Sequence, residues 1–180
     1  IFNVNVTPQR RVATQATSLE RLKAIGEAAG GSINDVVLAA SSGAMRRFLL
    51  EIGELPRKSL VTSIPVALPR DSNQAGGNAI SFANVRLGTD IEDVRERFDV
   101  IRRSSTAGRE FLKQMSTKSL MDYTVLISSP QILTRLPGIG SRLPPTYNVI
   151  ISNVPGPRGK LYFMGSEMEA YYPISALFHG

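Results

Sequence analysis

The residues best equipped for chemistry fall in three short runs. Ser152-Asn153-Val154-Pro155-Gly156-Pro157 sets a hydroxyl, a carboxamide and a Pro-Gly turn directly after an apolar, β-branched stretch. Polar side chains and backbone N–H groups at a strand end are donors of the kind that stabilise the oxyanion of a tetrahedral intermediate in acyl transfer. The same residues also make an ordinary Pro-Gly turn braced by Asn153. Ser32-Ile33-Asn34-Asp35 has the form of a helix cap, in which Ser32 accepts from the Asp35 N–H and Asp35 offsets the helix dipole. A cap accounts for the Ser and the Asp and leaves Asn34 without a duty. The third run, from Pro69 to Asn78, is a loop by composition, and Gly77-Asn78 fits a tight turn before a strand.

Other chemistries find no support in the residue types. The chain has one histidine, His179, in an apolar stretch beside Gly180, where a partly buried structural role suits it. With no cysteine and one histidine, disulfides, thiolate sites, a Cys nucleophile and a His/Cys metal cluster are excluded. Neither phosphate-binding glycine pattern occurs, and the Gly-x-Gly of Pro137 to Arg142 follows a helical stretch rather than a strand. There is no G-x-S-x-G elbow for a serine nucleophile.

The elements that would carry these runs alternate between strand and helix patterns. Residues 11–17 alternate like a strand, and Ser18 then caps a helix striped by Leu19, Leu22, Ile25 and Ala29, ended by Gly30-Gly31. A second helix after Ser32 presents Val36, Val37, Ala40, Ala44, Phe48 and Ile52, and Gly53 and Pro56 close it. Residues 58–68 form a buried strand with Pro65 placing its end at a bulge or edge, and residues 79–87 form another. Thr89 and Glu92 supply a capping box for a helix facing inward through Ile91, Val94, Phe98 and Ile101. Residues 108–136 are helical but broken, with Pro130 opening a new short helix. Pro137 to Pro145 is a loop. Residues 147–151, 161–163 and 168–177 return as strands. The order predicts an α/β domain with a mixed sheet flanked by helices.

Composition bounds the reading. At 180 residues the chain suits one domain, which at this size buries roughly 70% of its unfolded surface. The hydrophobic fraction of 42% is that of an ordinary globular protein, and no apolar run approaches the ~20 residues of a membrane span. The start at Ile1 shows no basic leader and no apolar signal core, and a first residue other than Met suggests a fragment. So does an apolar strand stopping at Gly180, which would leave an uncovered pairing edge. The absence of cysteine fits a reducing cytoplasm. A net charge of +6 favours an anionic partner. The basic residues come as scattered pairs, Arg10-Arg11, Arg46-Arg47 and Arg102-Arg103, without the interleaved aromatics of a nucleic-acid surface. Phosphates on a small cofactor, an anionic lipid surface or plain solvated helix faces account for them, and nucleic acid is not expected.

Three separated blocks carry a resemblance that spans nearly the whole chain. "SINDVVLAASSGAMRRFL" is similar to the Asn-Asp motif and following helix of bacterial wax ester synthase/diacylglycerol acyltransferases. "SIPVALPRDSNQAGGN" resembles that family's Pro-Val-x-Leu-Arg segment and its later Gly-Asn, here with an extra Pro69 before Arg70. "NVIISNVPGPRGKLYFMGSEMEAYYPISALFHG" resembles its Ser-Asn-Val-Pro-Gly-Pro block and the Tyr-Pro-x-Ser strand beyond. Any one block is a weak sign; three in the expected order are a specific one.

The resemblance implies a two-lobed chloramphenicol acetyltransferase-like fold, with residues 1–180 as the C-terminal lobe. It implies an O-acyltransferase moving a fatty acyl group from acyl-CoA, as co-substrate with no bound cofactor, to a fatty alcohol or diacylglycerol. The family's general base is the second His of a His-His-x-x-x-Asp-Gly motif, which this chain lacks, so the base is expected in the N-terminal lobe as partner. On this chain the resemblance assigns supporting roles to Asn34, Asp35, Ser152 and Asn153, and substrate or CoA contacts to Arg70, Gly77, Asn78, Pro155 and Gly156. Apolar residues of the second helix and of the stretch from Ile127 to Leu143 would line an acyl or alcohol channel. A cytoplasmic location, with peripheral contact to a membrane or lipid-droplet surface, is the matching expectation. Two other readings stay open: a CoA- or lipid-binding lobe without catalysis, and a condensation-type enzyme using a carrier-protein thioester.

Overall fold

The computed structural model describes residues 9, 11–67, 80–133, 146–157 and 159–174. Among these the elements run α1 (Leu19–Ala28), α2 (Ile33–Glu51), β1 (Val61–Ala67), β2 (Ile80–Arg86), α3 (Val94–Lys113), α4 (Thr117–Leu133), β3 (Val149–Ile150), β4 (Tyr162–Phe163) and β5 (Ser166–Glu167). The strands form a three-stranded sheet in the order β2-β1-β3 and a separate β4-β5 hairpin. β1 pairs antiparallel with β2, Ile64 opposite Ala83, and parallel with β3, Thr62 opposite Val149. The expected mixed α/β sheet is therefore present.

The helices pack on one face of the sheet, and on the central strand β1 the opposite face is also buried at Ser63. Leu60, Ile64, Ala83, Val85 and Leu87 join Leu38 and Leu49 of α2, Ile101 and Leu112 of α3 and Leu120 of α4 in one buried cluster. The β2 pattern alternates strictly, with Ser81, Ala83 and Val85 buried and Ile80, Asn84 and Arg86 exposed, as a sheet packed on one side requires. Gly108 lets α3 approach closely, since a Cβ there would lie 3.1 Å from the Ala83 Cβ. α4 joins the same layer through a 2.9 Å hydrogen bond between the Thr124 and Ser81 hydroxyls.

Pro65 lies inside β1, opposite Phe82, and the strand runs on to Ala67. Val61 and Ser63 turn their backbone groups toward β3: the Asn148 N–H donates to the Val61 carbonyl (2.8 Å) and the Ile151 N–H to the Ser63 carbonyl (3.2 Å). By the two-residue alternation Pro65 faces the same way, so its missing N–H costs the β1–β2 ladder nothing. The position is edge-like, as expected, but the strand does not end there.

Several expectations fail for physical reasons. Residues 11–17 form no strand; they are exposed and meet no neighbouring strand, and alternation without a partner makes no ladder. The α1 stripe is largely exposed, at Leu19 and Ile25, and the buried residue is Gly26, packed on the backbone of Gly31 and Ser32. In α2 the line Ala40, Ala44, Phe48 and Ile52 faces out, with Phe48 48% exposed, while Asp35, Val36, Leu38, Ser42 and Leu49 are buried. The N-cap of α3 is Asp93, whose carboxylate accepts from the Glu96 N–H at 2.8 Å, because Thr89 is buried elsewhere. Val94 is accordingly exposed, whereas Phe98 and Ile101 are buried as expected.

Pro130 does not open a helix; α4 runs through it, and the break falls at residues 114–116. The Leu126 carbonyl, denied an N–H by Pro130, accepts instead from the Ser129 hydroxyl at 2.7 Å. From 168 to 174 the chain forms no strand, the hairpin strand β5 lying just before it, and the remainder of the expected strand over 168–177 lies outside the described residues. The hairpin turn carries Met164 at φ 51° and Gly165 at φ 85°, the left-handed pair of a type I′ turn.

No helix among the described residues is long and apolar enough to cross a membrane.

Candidate functional site

The Ser32–Asp35 cap forms as the spacing requires, and it is more than a cap. The Asp35 N–H donates to the Ser32 hydroxyl oxygen (3.3 Å), and the Ser32 N–H (2.8 Å) and hydroxyl (2.6 Å) both donate to Asp35 Oδ2. The other carboxylate oxygen, Oδ1, accepts from the Ser105 hydroxyl of α3 and lies 3.9 Å from Arg109 Nη2. Arg109 Nη2 also donates to the Ser105 oxygen at 3.4 Å. Asp35 is 1% exposed. Burial pushes its carboxyl up, but the hydrogen bonds from Ser105 and Ser32 and the Arg109 charge outweigh that and hold it below the ordinary carboxylate range.

Both carboxylate oxygens are thus occupied by donors from within the chain. A carboxylate so occupied and so stabilised as an anion is a poor proton acceptor for a substrate. Asp35 instead joins the first turn of α2 to α3, and the Phe98 ring packs so closely on Gly31 that a Cβ there would lie 2.7 Å from its Cζ. Asn34, the neighbouring residue, is half-buried on the same turn. Ser105 and Arg109 were not singled out from the sequence; their places on α3, 70 residues from Asp35 for Ser105, leave no local pattern to read.

A second polar set fixes the loop between β2 and α3. The Ser42 hydroxyl donates to the Leu87 carbonyl (2.6 Å), the Leu60 N–H to the Thr89 hydroxyl (2.8 Å), and the Gly88 N–H to the Ser59 hydroxyl (2.7 Å). Arg46 Nη1 donates to the Thr89 carbonyl (2.7 Å), and Arg97 Nη1 to the carbonyls of Ile91 (2.9 Å) and Glu92 (3.2 Å).

The Ser-Asn run leaves β3 at its C-terminal end. The last ladder bond is that of the Ile151 N–H, after which Ser152, Asn153, Val154, Pro155 and Gly156 are exposed. A Cβ at Gly156 would meet nothing within 4 Å, so no close approach demands a glycine there. β3 itself is locked by Asn148, whose carboxamide oxygen accepts from the Val61 N–H at 2.9 Å. The Asp35 network lies between α2 and α3, whereas Ser152 and Asn153 follow β3, and among the described residues no hydrogen bond joins the two groups. Arg70, Gly77, Asn78 and His179 lie outside the described residues, as does most of the stretch from Ile127 to Leu143. Among the described residues no cluster of three or more His, Cys, Asp or Glu could hold a metal ion.

Comparison with known proteins bears on both groups. Residues 76–180, which include Ser152 and Asn153, match the model of the WS/DGAT C-terminal domain. Residues 1–37, which include Asn34 and Asp35, match that of the wax ester synthase/diacylglycerol acyltransferase catalytic domain. A putative diacylglycerol O-acyltransferase of Mycobacterium tuberculosis is 41% identical over 182 residues, covering 99% of this chain and 37% of the relative. The O-acyltransferase WSD of Acinetobacter baylyi is 34% identical over 180 residues, covering 100% of this chain and 39% of the relative. Among solved structures, the wax ester synthase/diacylglycerol acyltransferase of Marinobacter aquaeolei VT8 superposes with a TM-score of 0.75 at 31% identity, covering 94% of this chain and 38% of that one. The chain thus spans about two fifths of the length of these relatives. The family match over most of its length, on a fold shared with a solved relative, establishes that this chain belongs to the wax ester synthase/diacylglycerol acyltransferase family.

Proposed function

We propose that the protein to which these residues belong is an O-acyltransferase that moves a fatty acyl group from acyl-CoA to a long-chain alcohol or diacylglycerol. The observation that carries this reading is likeness, over 97–100% of the chain, to proteins described as O-acyltransferases. In this reading residues 1–180 act as a supporting lobe, and the general base is a histidine on the partner lobe outside this chain. That histidine takes the proton of the acceptor hydroxyl, the oxygen attacks the thioester carbonyl carbon, and the C–S bond breaks to release CoA, which takes up the proton as a thiol.

The chain's own contribution is to hold and polarise. Ser152 and Asn153, carried past the end of β3, face the developing oxyanion. Asp35, held by Ser32, Ser105 and Arg109, fixes the turn that presents Asn34 at the lobe interface. Arg70, Gly77 and Asn78, with Pro155 and Gly156, contact acyl-CoA. Peripheral association with a membrane or lipid inclusion would bring the enzyme to its apolar acceptors.

The test is turnover of the full-length enzyme with labelled acyl-CoA and either hexadecanol or diacylglycerol. Ser152→Ala and Asn153→Ala should each lower kcat about 100-fold with little change in KM. Unchanged kcat in both variants removes the oxyanion role, and absence of ester formation by the wild type removes the function itself.

A further inference from the structure

Arg46 and Arg97 converge on one place. Arg46 is half-buried and Arg97 is 7% exposed, yet among the described residues neither forms an ion pair with a carboxylate, unlike Arg47, Arg86, Arg102 and Arg109. Among the described residues each spends only its Nη1 on backbone carbonyls of the loop between β2 and α3. Arg97 Nη2 reaches across to α2, where it lies 3.6 Å from the point a Cβ would occupy on Gly43. Gly43 is one helical turn before Arg46 and so shares its face of α2. The arrangement brings two guanidinium groups together over a patch of helix that has no side chain of its own.

Like charges held near enough to feel each other are unfavourable unless something negative joins them. Burial and the neighbouring Arg46 charge both lower the pKa of Arg97, with Asp93 acting in the opposite sense. The guanidinium edges not used on the loop offer forked N–H donors, the geometry that suits a phosphate's oxygens. We propose that Arg46 and Arg97, with the bare surface at Gly43, form a binding site for the phosphate group of an organic phosphate. The site extends the acyl-CoA reading, on which it rests only for the phosphate's source: coenzyme A, or a phospholipid headgroup.

Gly43→Asp tests the site without removing either arginine. The new carboxylate would stand beside Arg97 Nη2 and occupy the position of the phosphate, while all three loop-anchoring hydrogen bonds remain. Equilibrium binding to the full-length protein is measured with coenzyme A, phosphate-free pantetheine, and vesicles of phosphatidic acid or phosphatidylcholine. The wild type should bind coenzyme A or phosphatidic acid vesicles, which carry an unmasked phosphomonoester, but neither phosphate-free pantetheine nor phosphatidylcholine, whose phosphodiester is neutralised by its own choline; Gly43→Asp should weaken that binding about tenfold or more with no loss of thermal stability. Arg46→Gln should weaken the same probe. Which probe responds identifies the source. Undiminished binding by Gly43→Asp, or wild-type protein that binds no phosphate probe, overturns the site. Turnover is read separately: a wild type that forms no ester defeats the acyltransfer reading and leaves the binding result to judge the site.

Discussion

Replacing Asp35 by Asn removes a charge while keeping shape, and the structure sets the size of the effect. Asp35 accepts from the Ser32 N–H at 2.8 Å, the Ser32 hydroxyl at 2.6 Å and the buried Ser105 hydroxyl. Asparagine keeps one acceptor oxygen for the Ser32 donors. Its NH2 then meets the Ser105 oxygen, and Ser105 can turn its own proton to the Arg102 carbonyl, already 3.3 Å away. The loss is the difference between charge-assisted and neutral hydrogen bonds, about 1 kcal/mol for each of two or three bonds. Arg109 is about one-third exposed, so its ion pair adds only about 0–1 kcal/mol. The expected total is about 2–3 kcal/mol at pH 7, read as a lower urea midpoint at unchanged m.

The pH dependence supplies a second check. Because the folded-state pKa of Asp35 is depressed, the unfolded chain binds the proton more readily, and stability rises with pH through this region. The contribution is complete above the unfolded value of about 3.9 and is lost as pH falls through the lower folded value. The gap between wild type and Asp35→Asn should therefore narrow below about pH 4. A gap under about 0.5 kcal/mol at pH 7, or one that stays constant down to pH 3, would refute the assignment of Asp35 as an ionised tie between α2 and α3.

Three further outcomes follow from packing and backbone geometry. Thr89→Val preserves volume but strips the acceptor from the buried Leu60 N–H, and should cost about 1–3 kcal/mol in chemical denaturation. Gly108→Val drives its side chain into Ala83 across a 3.1 Å approach and should cost about 1–3 kcal/mol, seen as a lower Tm with α3 amides exchanging faster. Met164→Asn relieves a left-handed residue at φ 51° that is 92% exposed and should raise stability by about 0.5–1 kcal/mol; a lower Tm would contradict the I′ turn.

The boundaries of α1 and α2 were the legible part of the fold, because their caps are local. Ser32 starts α2 and Gly53, at φ 71°, ends it with the Glu54 N–H on the Leu49 carbonyl at 2.8 Å. The buried face of the same helix was misread for a reason that is not local. Walking by fours from Val36 selects Ala40, Ala44 and Phe48, while the face in contact includes Asp35 and Ser42, whose partners are 70 and 45 residues away. A polar residue becomes a core residue only when its hydrogen bonds are supplied, and those suppliers carry no signature. Thr89 illustrates the same point: it has the right type and spacing for a cap, but its hydroxyl is taken by Leu60, and Asp93 caps the helix instead. Of the candidate site, the Ser32-Asp35 motif and the Ser-Asn strand end were readable. Ser105 and Arg109 were not, because nothing but the packing of α3 on α2 brings them there.

Pro65 also determines how far the parallel seam can zip. After the Ile151 N–H bonds to Ser63, the next link in a regular parallel ladder would come from residue 65 of β1 back to the Ile151 carbonyl, and proline has no hydrogen to give. The seam therefore loses a tooth at the point where β3 must let go, and the chain departs carrying Ser152 and Asn153 outward. Had residue 65 been valine, a longer and stronger seam would have claimed the amide of Asn153 for the sheet. A slightly weaker sheet here leaves the Ser152-Asn153 segment outside the ladder.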